Sequence, residues 1–403
     1  MKTVLFVGAG RHQCRAIRRA KELGLRVAAI DRNANAPGFA DADATELVDF
    51  AHTDAAIEAA QRLRPDGVLT IASDRAVPVV AAVAEALGLP GIGRETARLA
   101  TNKVAMRAAL VEAGVPQPPF AAVRTLGDAR AAVNEIGFPT VLKPADSAGQ
   151  RGLSVVRSAA ELEPQLEEAL AESQSGEAIA ERFLDGSEVN SLVVTRGGDV
   201  TVLTLSDRRR PGGKGFGVCL AHVFPATIDG DAAAEAERVA AASVRAIGLV
   251  DSVAYPQLLV SPEGVRLVEI AARVPAGLMD EVARIGIGVD LVHVALLQAL
   301  GEPVPDELLR SNARRPLAIR FLTAEPGPLP VGVVRSVNGL ERSLASPGVV
   351  AADSYIVPGE SIRRPLRDGD RRGYVIALGE SGEDALARAD RAAALVHVEV
   401  EPA

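Results

Sequence analysis

The first ninety residues alternate between short apolar runs and amphipathic stretches, and this alternation restricts the fold more than any other feature of the chain. The run Thr3-Val4-Leu5-Phe6-Val7 ends in Gly8-Ala9-Gly10. It reads as a buried strand followed by a helix over residues 11–24 that closes at Gly24. Residues 26–31 read as a second strand, 53–64 as a helix, 66–73 as a strand, and 76–88 as a helix closed by Gly88. Strands joined by helical crossovers lie parallel, with right-handed connections. Gly8-Ala9-Gly10 with Asp31 at the next strand end matches part of a dinucleotide fingerprint, but Gln13 stands where the third glycine belongs. A nicotinamide-dependent oxidoreductase is therefore a minor alternative. Ser73 and Asp74 end a parallel strand, where open α/β sheets bind ligands, and capping that loop is the competing role.

A second constraint lies in Thr140–Val156, TVLKPADSAGQRGLSVV. An apolar strand carries Lys143, breaks into the soft loop Ser147-Ala148-Gly149-Gln150-Arg151-Gly152, and resumes. Backbone so poor in side chains can approach a ligand and offer it N–H groups. Of the 44 Lys plus Arg only five are lysine: Lys2, Lys21, Lys103, Lys143 and Lys214. A lysine kept in an arginine-rich chain suits a task needing a compact ammonium rather than a planar fork. Lys143 sits in an apolar strand with no evident structural role.

The remaining pattern is mixed. A helix is expected over 101–113, capped by Thr101 or Asn102, with Lys103 opposing the dipole in its first turn. The proline-rich connector AGVPQPPF, residues 113–120, follows. Further expectations are a helix at 159–172, a strand at 199–206, a polar loop at 207–217 and a long helix at 230–247. Residues 252–274 read as a hairpin turning at Ser261-Pro262-Glu263-Gly264. A helix at 290–300 and the linker GEPVPDE precede a region of short strands with a final helix at 381–394.

Bulk properties exclude several classes. A net charge of −8 and 3% aromatic content leave little for a nucleic-acid groove, the cluster Arg208-Arg209-Arg210 notwithstanding. Two cysteines, Cys14 and Cys219, imply neither a disulfide framework nor a zinc site. The N-terminus enters a strand directly, and the apolar run 76–91 contains Glu85 and is too short to span a bilayer. The expectation is a cytoplasmic protein without membrane or nucleic-acid partners, with a homodimer as the candidate assembly.

Taken in order, NKVAMRAALVEAGVPQP, TVLKPADSAGQRGLSVV, ERFLDGSEV and LVEIAAR resemble the motif set of the ATP-grasp superfamily. The tail, IRFLTAEPGPL through GYVIALGESGEDALARAD, resembles the subgroup of bacterial L-amino-acid ligases and other carboxylate–amine ligases. The resemblance implies an α/β and α+β architecture in three parts. Residues 1–93 would form a Rossmann-like domain. Residues 94–300 would form the ATP-grasp domain, with a nucleotide lobe at about 115–185 and a second lobe at about 186–300. Residues 301–403 would form a small α+β domain. It further implies an ATP-dependent ligase in which the γ-phosphoryl passes to a carboxylate and an amine displaces it, with magnesium as cofactor and manganese as a substitute.

By the same resemblance Lys103 and Lys143 contact phosphates under a lid of Ser147, Gly149, Gln150, Arg151 and Gly152. Glu181, Arg182, Phe183 and Leu184 form the hinge that reads adenine, and Glu188 receives the ribose. Gln257 and Glu269 hold metal, and Arg273 steadies the transferred phosphoryl. Lys214 or one of Arg208, Arg209 and Arg210 reaches the triphosphate. His222 either lines the acceptor pocket or is a satisfied interior histidine. Two departures stand out: Gln257 replaces a carboxylate twelve residues before Glu269, and Ala271 replaces an asparagine. The alternatives are a purine-pathway enzyme of the carboxyaminoimidazole ribonucleotide synthase type and a non-catalytic nucleotide-binding regulator.

Overall fold

The computed structural model describes residues 1–211 and 217–401. Four parallel strands open the chain in the order Ala44–Leu47, Arg26–Asp31, Thr3–Val7, Gly67–Leu69. Thr3–Val7 is buried throughout, as a strand flanked by helices on both faces must be. The edge strand Ala44–Leu47 was not expected, because its sequence, Ala-Thr-Glu-Leu, has no apolar run. The first helix is Cys14–Glu22 rather than 11–24. Residues 11–13 are a turn, and the Gln13 amide donates to the Ile71 carbonyl at 2.7 Å. The Asp31 carboxylate accepts from the N–H groups of Ala9 and Asn33, at 2.8 and 2.9 Å, so it serves the loops around it.

The expected helix at 101–113 is Lys103–Glu112, and a further helix, Arg94–Thr101, precedes it. They break at Asn102, whose side chain caps the second by accepting from the Ala105 N–H. Four antiparallel strands follow, in the order Phe120–Val123, Ala178–Arg182, Thr140–Pro144, Ser154–Val156. Helices Leu126–Ile136 and Ala159–Ala171 back this sheet. The strand after Pro119 and the helix after it were not expected. Thr125 and Asp128 form a reciprocal cap at that helix's start.

An eight-stranded sheet occupies the rest. Its order is Gly264–Ala271, Ser252–Ser261, Ser187–Arg196, Asp199–Arg209, Ala221–Phe224, Leu317–Phe321, Gly373–Leu378, Val349–Ser354. The strand expected to stop at 206 runs on to Arg209, because Asp207 pairs with Val189 on one side and Val223 on the other. Arg208 and Arg209 thus lie on opposite faces of a sheet rather than in a loop. The pairing of Ala221–Phe224 with Leu317–Phe321 carries the sheet across the expected boundary at 301. Helix Gly230–Ala246 packs on the hairpin. A three-stranded sheet, Ser361–Ile362, Gly332–Asn338 and His397–Glu401, completes the fold together with helix Gly382–Ala393.

The parallel sheet docks onto the hairpin through a bridge between Ile71 and Val274. One apolar cluster runs from Val4 and Phe6 through Val294 to Ile319 and Phe321. No single helix among the described residues is long and apolar enough to cross a membrane. The bent pair Met279–Ile287 and Leu291–Ala299 is apolar because it lies in that core.

Candidate active site

Lys143 stands on the strand Thr140–Pro144, almost wholly buried, with its Nζ 2.8 Å from Glu181 Oε2. On the far side of the same carboxylate, Arg107 donates from Nε to Oε1 at 2.9 Å. Arg107 is fully buried and also donates to the carbonyls of Leu267 and Val268, each at 2.8 Å. Burial by itself would raise the pKa of Glu181, but Arg107 and Lys143 outweigh it and bring the group down to about 2. Burial in turn pushes the Lys143 ammonium below its ordinary value, against the pull of Glu181. The expectation that Lys143 lacks a structural partner is therefore corrected.

Arg107 was missed. Its signal was present: Lys103, Met106, Arg107 and Leu110 are the buried positions of one helix and follow the spacing of a core-facing stripe. Glu181, expected at the hinge, has its backbone paired between Phe120 and Val141 and its carboxylate turned inward.

Lys103 begins its helix with its N–H on the Ala145 carbonyl at 2.7 Å. Its Nζ donates to the Ser147 carbonyl at 2.6 Å and lies 3.5 Å from Glu269 Oε1. The glycine loop is shaped by left-handed backbone at Gly149, Gln150 and Gly152, with φ of 72, 68 and 63°. For Gln150 that is a strained conformation. Its Oε1 is buried without a donor. Arg151 donates to the Ser147 hydroxyl at 3.3 Å, and the Asp368 N–H donates to the Gly149 carbonyl at 3.2 Å. The loop thus lies folded over a cleft and touches the last part of the chain.

The same cleft is lined by Arg182, Phe183 and Leu184. The N–H of Arg182 already donates to Pro119 and that of Phe183 to Pro139, at 2.9 and 3.1 Å. Glu188 is held by Arg208 Nη1 at 2.5 Å and Arg210 Nε at 3.4 Å. Arg209 turns away, toward Asp207 and Glu383, at 3.0 and 2.5 Å. Of the arginine run, Arg208 and Arg210 line the cleft. Lys214 lies outside the described residues.

The hairpin register sets Gln257 opposite Glu269. Among the described residues no cluster of three or more His, Cys, Asp or Glu could hold a metal. One carboxylate and one amide oxygen remain, which suits a magnesium ion taking its other ligands from phosphate and water. Arg273, at the hairpin's end, bonds Asp74 Oδ2 at 2.6 Å and the Val274 carbonyl at 3.2 Å, and its buried Nε has no acceptor. Ser73 and Asp74 thereby enter the site from the parallel sheet.

Beyond Glu269 the cleft meets a cavity of about 520 Å³, lined by Ser73, Asp74, His222, Arg273 and others. His222 is both pocket-lining and satisfied. The Asn190 amide nitrogen lies 3.2 Å from its Nδ1, and Cys219 Sγ lies 3.4 Å from its Nε2. Burial, then Arg208 and Arg371, push it down to about 3, so it is neutral at physiological pH. The structure thus brings Lys103, Lys143, the loop, Arg182–Leu184, Glu188, Gln257 and Glu269 to one cleft, with Arg273 and His222 in the adjoining cavity.

Comparisons with known proteins match three stretches of the chain. Residues 102–307 match the ATP-binding domain of the carbamoyl-phosphate synthase L chain. Residues 17–91 match the ATP-grasp N-terminal domain, and 320–401 the L-amino acid ligase C-terminal domain 2. An uncharacterized protein of Sinorhizobium fredii is 27% identical over 83% of this chain and 68% of its own length. A formate-dependent phosphoribosylglycinamide formyltransferase of Synechococcus sp. is 29% identical over 99% of this chain and 98% of its own. The crystal structure of an L-amino acid ligase from Bacillus licheniformis superposes with a TM-score of 0.85 at 21% identity, covering 100% of this chain and 99% of the other.

Proposed function

We propose that this chain, which belongs to the ATP-grasp superfamily, joins a small-molecule carboxylate, an amino acid in the main reading, to an amine while converting ATP to ADP and phosphate. The observation that carries this reading is the meeting of Lys103, Glu269 and Gln257 in a loop-covered cleft that opens into a second, arginine-rich cavity. A carboxylate is a poor electrophile, and phosphorylation makes it one. Phosphoryl transfer demands positioning and charge neutralisation more than covalent help from the protein.

In this reading adenine lies against Arg182, Phe183 and Leu184. The N–H groups of Arg182 and Phe183 are engaged within the protein, so Leu184 supplies the hinge amide. Glu188, fixed by its two arginines, faces the ribose. Lys103 and Lys143 hold the phosphates, and the folded loop excludes water. Glu269 and Gln257 would hold magnesium, which supplies charge neutralisation of the phosphates. Arg273 sits where the cleft meets the cavity, placed to steady the phosphoryl group as it moves to the carboxylate. His222, kept neutral and held between Asn190 and Cys219, lines the cavity without adding a charge.

A purine-type enzyme is the second reading, favoured by the formyltransferase relative that spans the whole chain. The test is phosphate release by the purified protein with ATP, magnesium, and a panel of amino acids and amines. Release that requires both a carboxylate and an amine supports the ligase. Formation of AMP and pyrophosphate excludes the acyl-phosphate route.

A further inference from the structure

The cavity beyond Glu269 carries more positive charge than the chain balances. Six arginines and three carboxylates line it. Arg273 is matched by Asp74 at 2.6 Å and Arg208 by Glu188 at 2.5 Å, and Arg371, largely buried, lies 3.7 Å from the Asp368 carboxylate and donates to the Asp368 carbonyl at 2.9 Å. Glu269 faces Lys103 at 3.5 Å. Three guanidiniums remain: Arg75, Arg151 and Arg367.

They come from three separate parts of the chain. Arg75 lies in the turn after the parallel sheet, Arg151 in the glycine loop, and Arg367 before the strand Gly373–Leu378. Arg75 has no carboxylate partner among the described residues. Arg151 reaches Glu172 only at 3.8 Å and Arg367 reaches Asp370 only at 3.6 Å. Such long, partly exposed pairs hold little energy. Like charges gathered without an anion oppose one another. Burial and then Arg75 push Arg151 below its usual value, with Arg367 adding to the effect and Glu172 opposing it. His12, on the same wall, is pushed down to about 4 by burial and then by Arg371, Arg11 and Arg15.

We propose that Arg75, Arg151 and Arg367 bind an anionic group, a carboxylate or a phosphomonoester, on the substrate that fills this cavity, remote from the carboxylate that reacts. This rests on the ligase reading above. The triphosphate does not account for the cluster, because Arg75 and Arg367 line the cavity but not the nucleotide cleft. Planar guanidiniums from several directions suit the oxygens of such a group, which they can engage in forked hydrogen bonds. The cavity is large enough for an amino acid with a charged side chain.

The experiment compares acidic substrates with their neutral counterparts in the full-length protein: aspartate with asparagine, glutamate with glutamine, phosphoserine with serine. Each is paired with the same neutral amino acid, and kcat/KM is read from phosphate release. Calorimetry with the same compounds in the presence of ADP reads binding independently of turnover. The acidic member of each pair should be favoured by about ten- to a hundredfold, as expected for hydrogen bonds to a charged group. Arg75→Gln and Arg367→Gln should each erode that preference without raising the KM for ATP. Arg75→Glu should shift it toward lysine. The aspartate and phosphoserine arms separate carboxylate from phosphate. Equal use and equal binding of acidic and neutral members, or variants that change only the KM for ATP, would overturn the proposal. Selective binding of the acidic members without phosphate release would instead retain the anion site and sink the ligase reading.

Discussion

Replacing Glu181 by Gln removes the carboxylate held between Arg107 and Lys143 and leaves two buried cations facing each other. The size of the effect follows from the shift of that carboxyl group. Its pKa falls from the ordinary value of 4.5 to about 2 on folding, and one unit is worth roughly 1.4 kcal/mol, so the charge contributes about 3 kcal/mol at neutral pH. Because the folded value is the depressed one, this contribution is present above about pH 4.5 and is lost as pH falls toward 2. Glu181→Gln should therefore be less stable than wild type by about 3 kcal/mol at pH 7, in line with breaking a buried pair. The gap should close progressively below pH 4.5. Urea unfolding of both proteins between pH 7 and 3, followed by far-ultraviolet circular dichroism, measures it. A stability difference that stays constant through that range would refute the assignment of the effect to Glu181 ionisation. Equal stability at pH 7 would refute the ion-pair argument altogether.

Lys143→Ala should lose at least about a hundredfold in kcat, the scale on which a preorganised charge acts. Lys143→Arg should fare little better, since a guanidinium is larger and differently shaped than the ammonium seated against Glu181; normal kinetics in either would remove Lys143 from phosphate binding. Gln257→Glu should keep the fold and lower the magnesium concentration giving half-maximal phosphate release, whereas Glu269→Gln should nearly abolish activity. A wild-type magnesium titration for Glu269→Gln would show the metal site to be misplaced. Limited proteolysis should cut within residues 147–152 more slowly when ATP is bound, and equal rates would dismiss the loop as a nucleotide lid.

Much of the cleft was legible because its residues break local patterns. Lys143 stood out as an ammonium in an apolar strand, and the turn at 261–264 was enough to place Gln257 and Glu269 on facing strands. Arg107 was not legible as a buried group, because an arginine on an amphipathic helix ordinarily lies in water, and only its place on the apolar stripe told otherwise. The strand Phe120–Val123 was hidden by Pro118 and Pro119, which read as a connector although Pro119 instead lends its carbonyl to Arg182. The run of Asp199–Arg209 beyond residue 206 depended on pairing with Val189 and Val223, partners that no local pattern names. The excess charge of the cavity was hidden for a related reason: Arg75, Arg151 and Arg367 meet only in three dimensions.

The eight-stranded sheet has a consequence for engineering. The strand Leu317–Phe321 is hydrogen-bonded to Ala221–Phe224 on one side and to Gly373–Leu378 on the other. Cutting the chain at the linker before it would strip Ala221–Phe224 of a neighbour and expose a raw, apolar edge to other molecules. The last hundred residues therefore do not behave as a detachable cartridge. A chimera meant to exchange substrate preference with a relative should instead let the donor's tail arrive with its own version of the 221–224 strand, so that the ladder between that strand and Leu317–Phe321 stays within one parent.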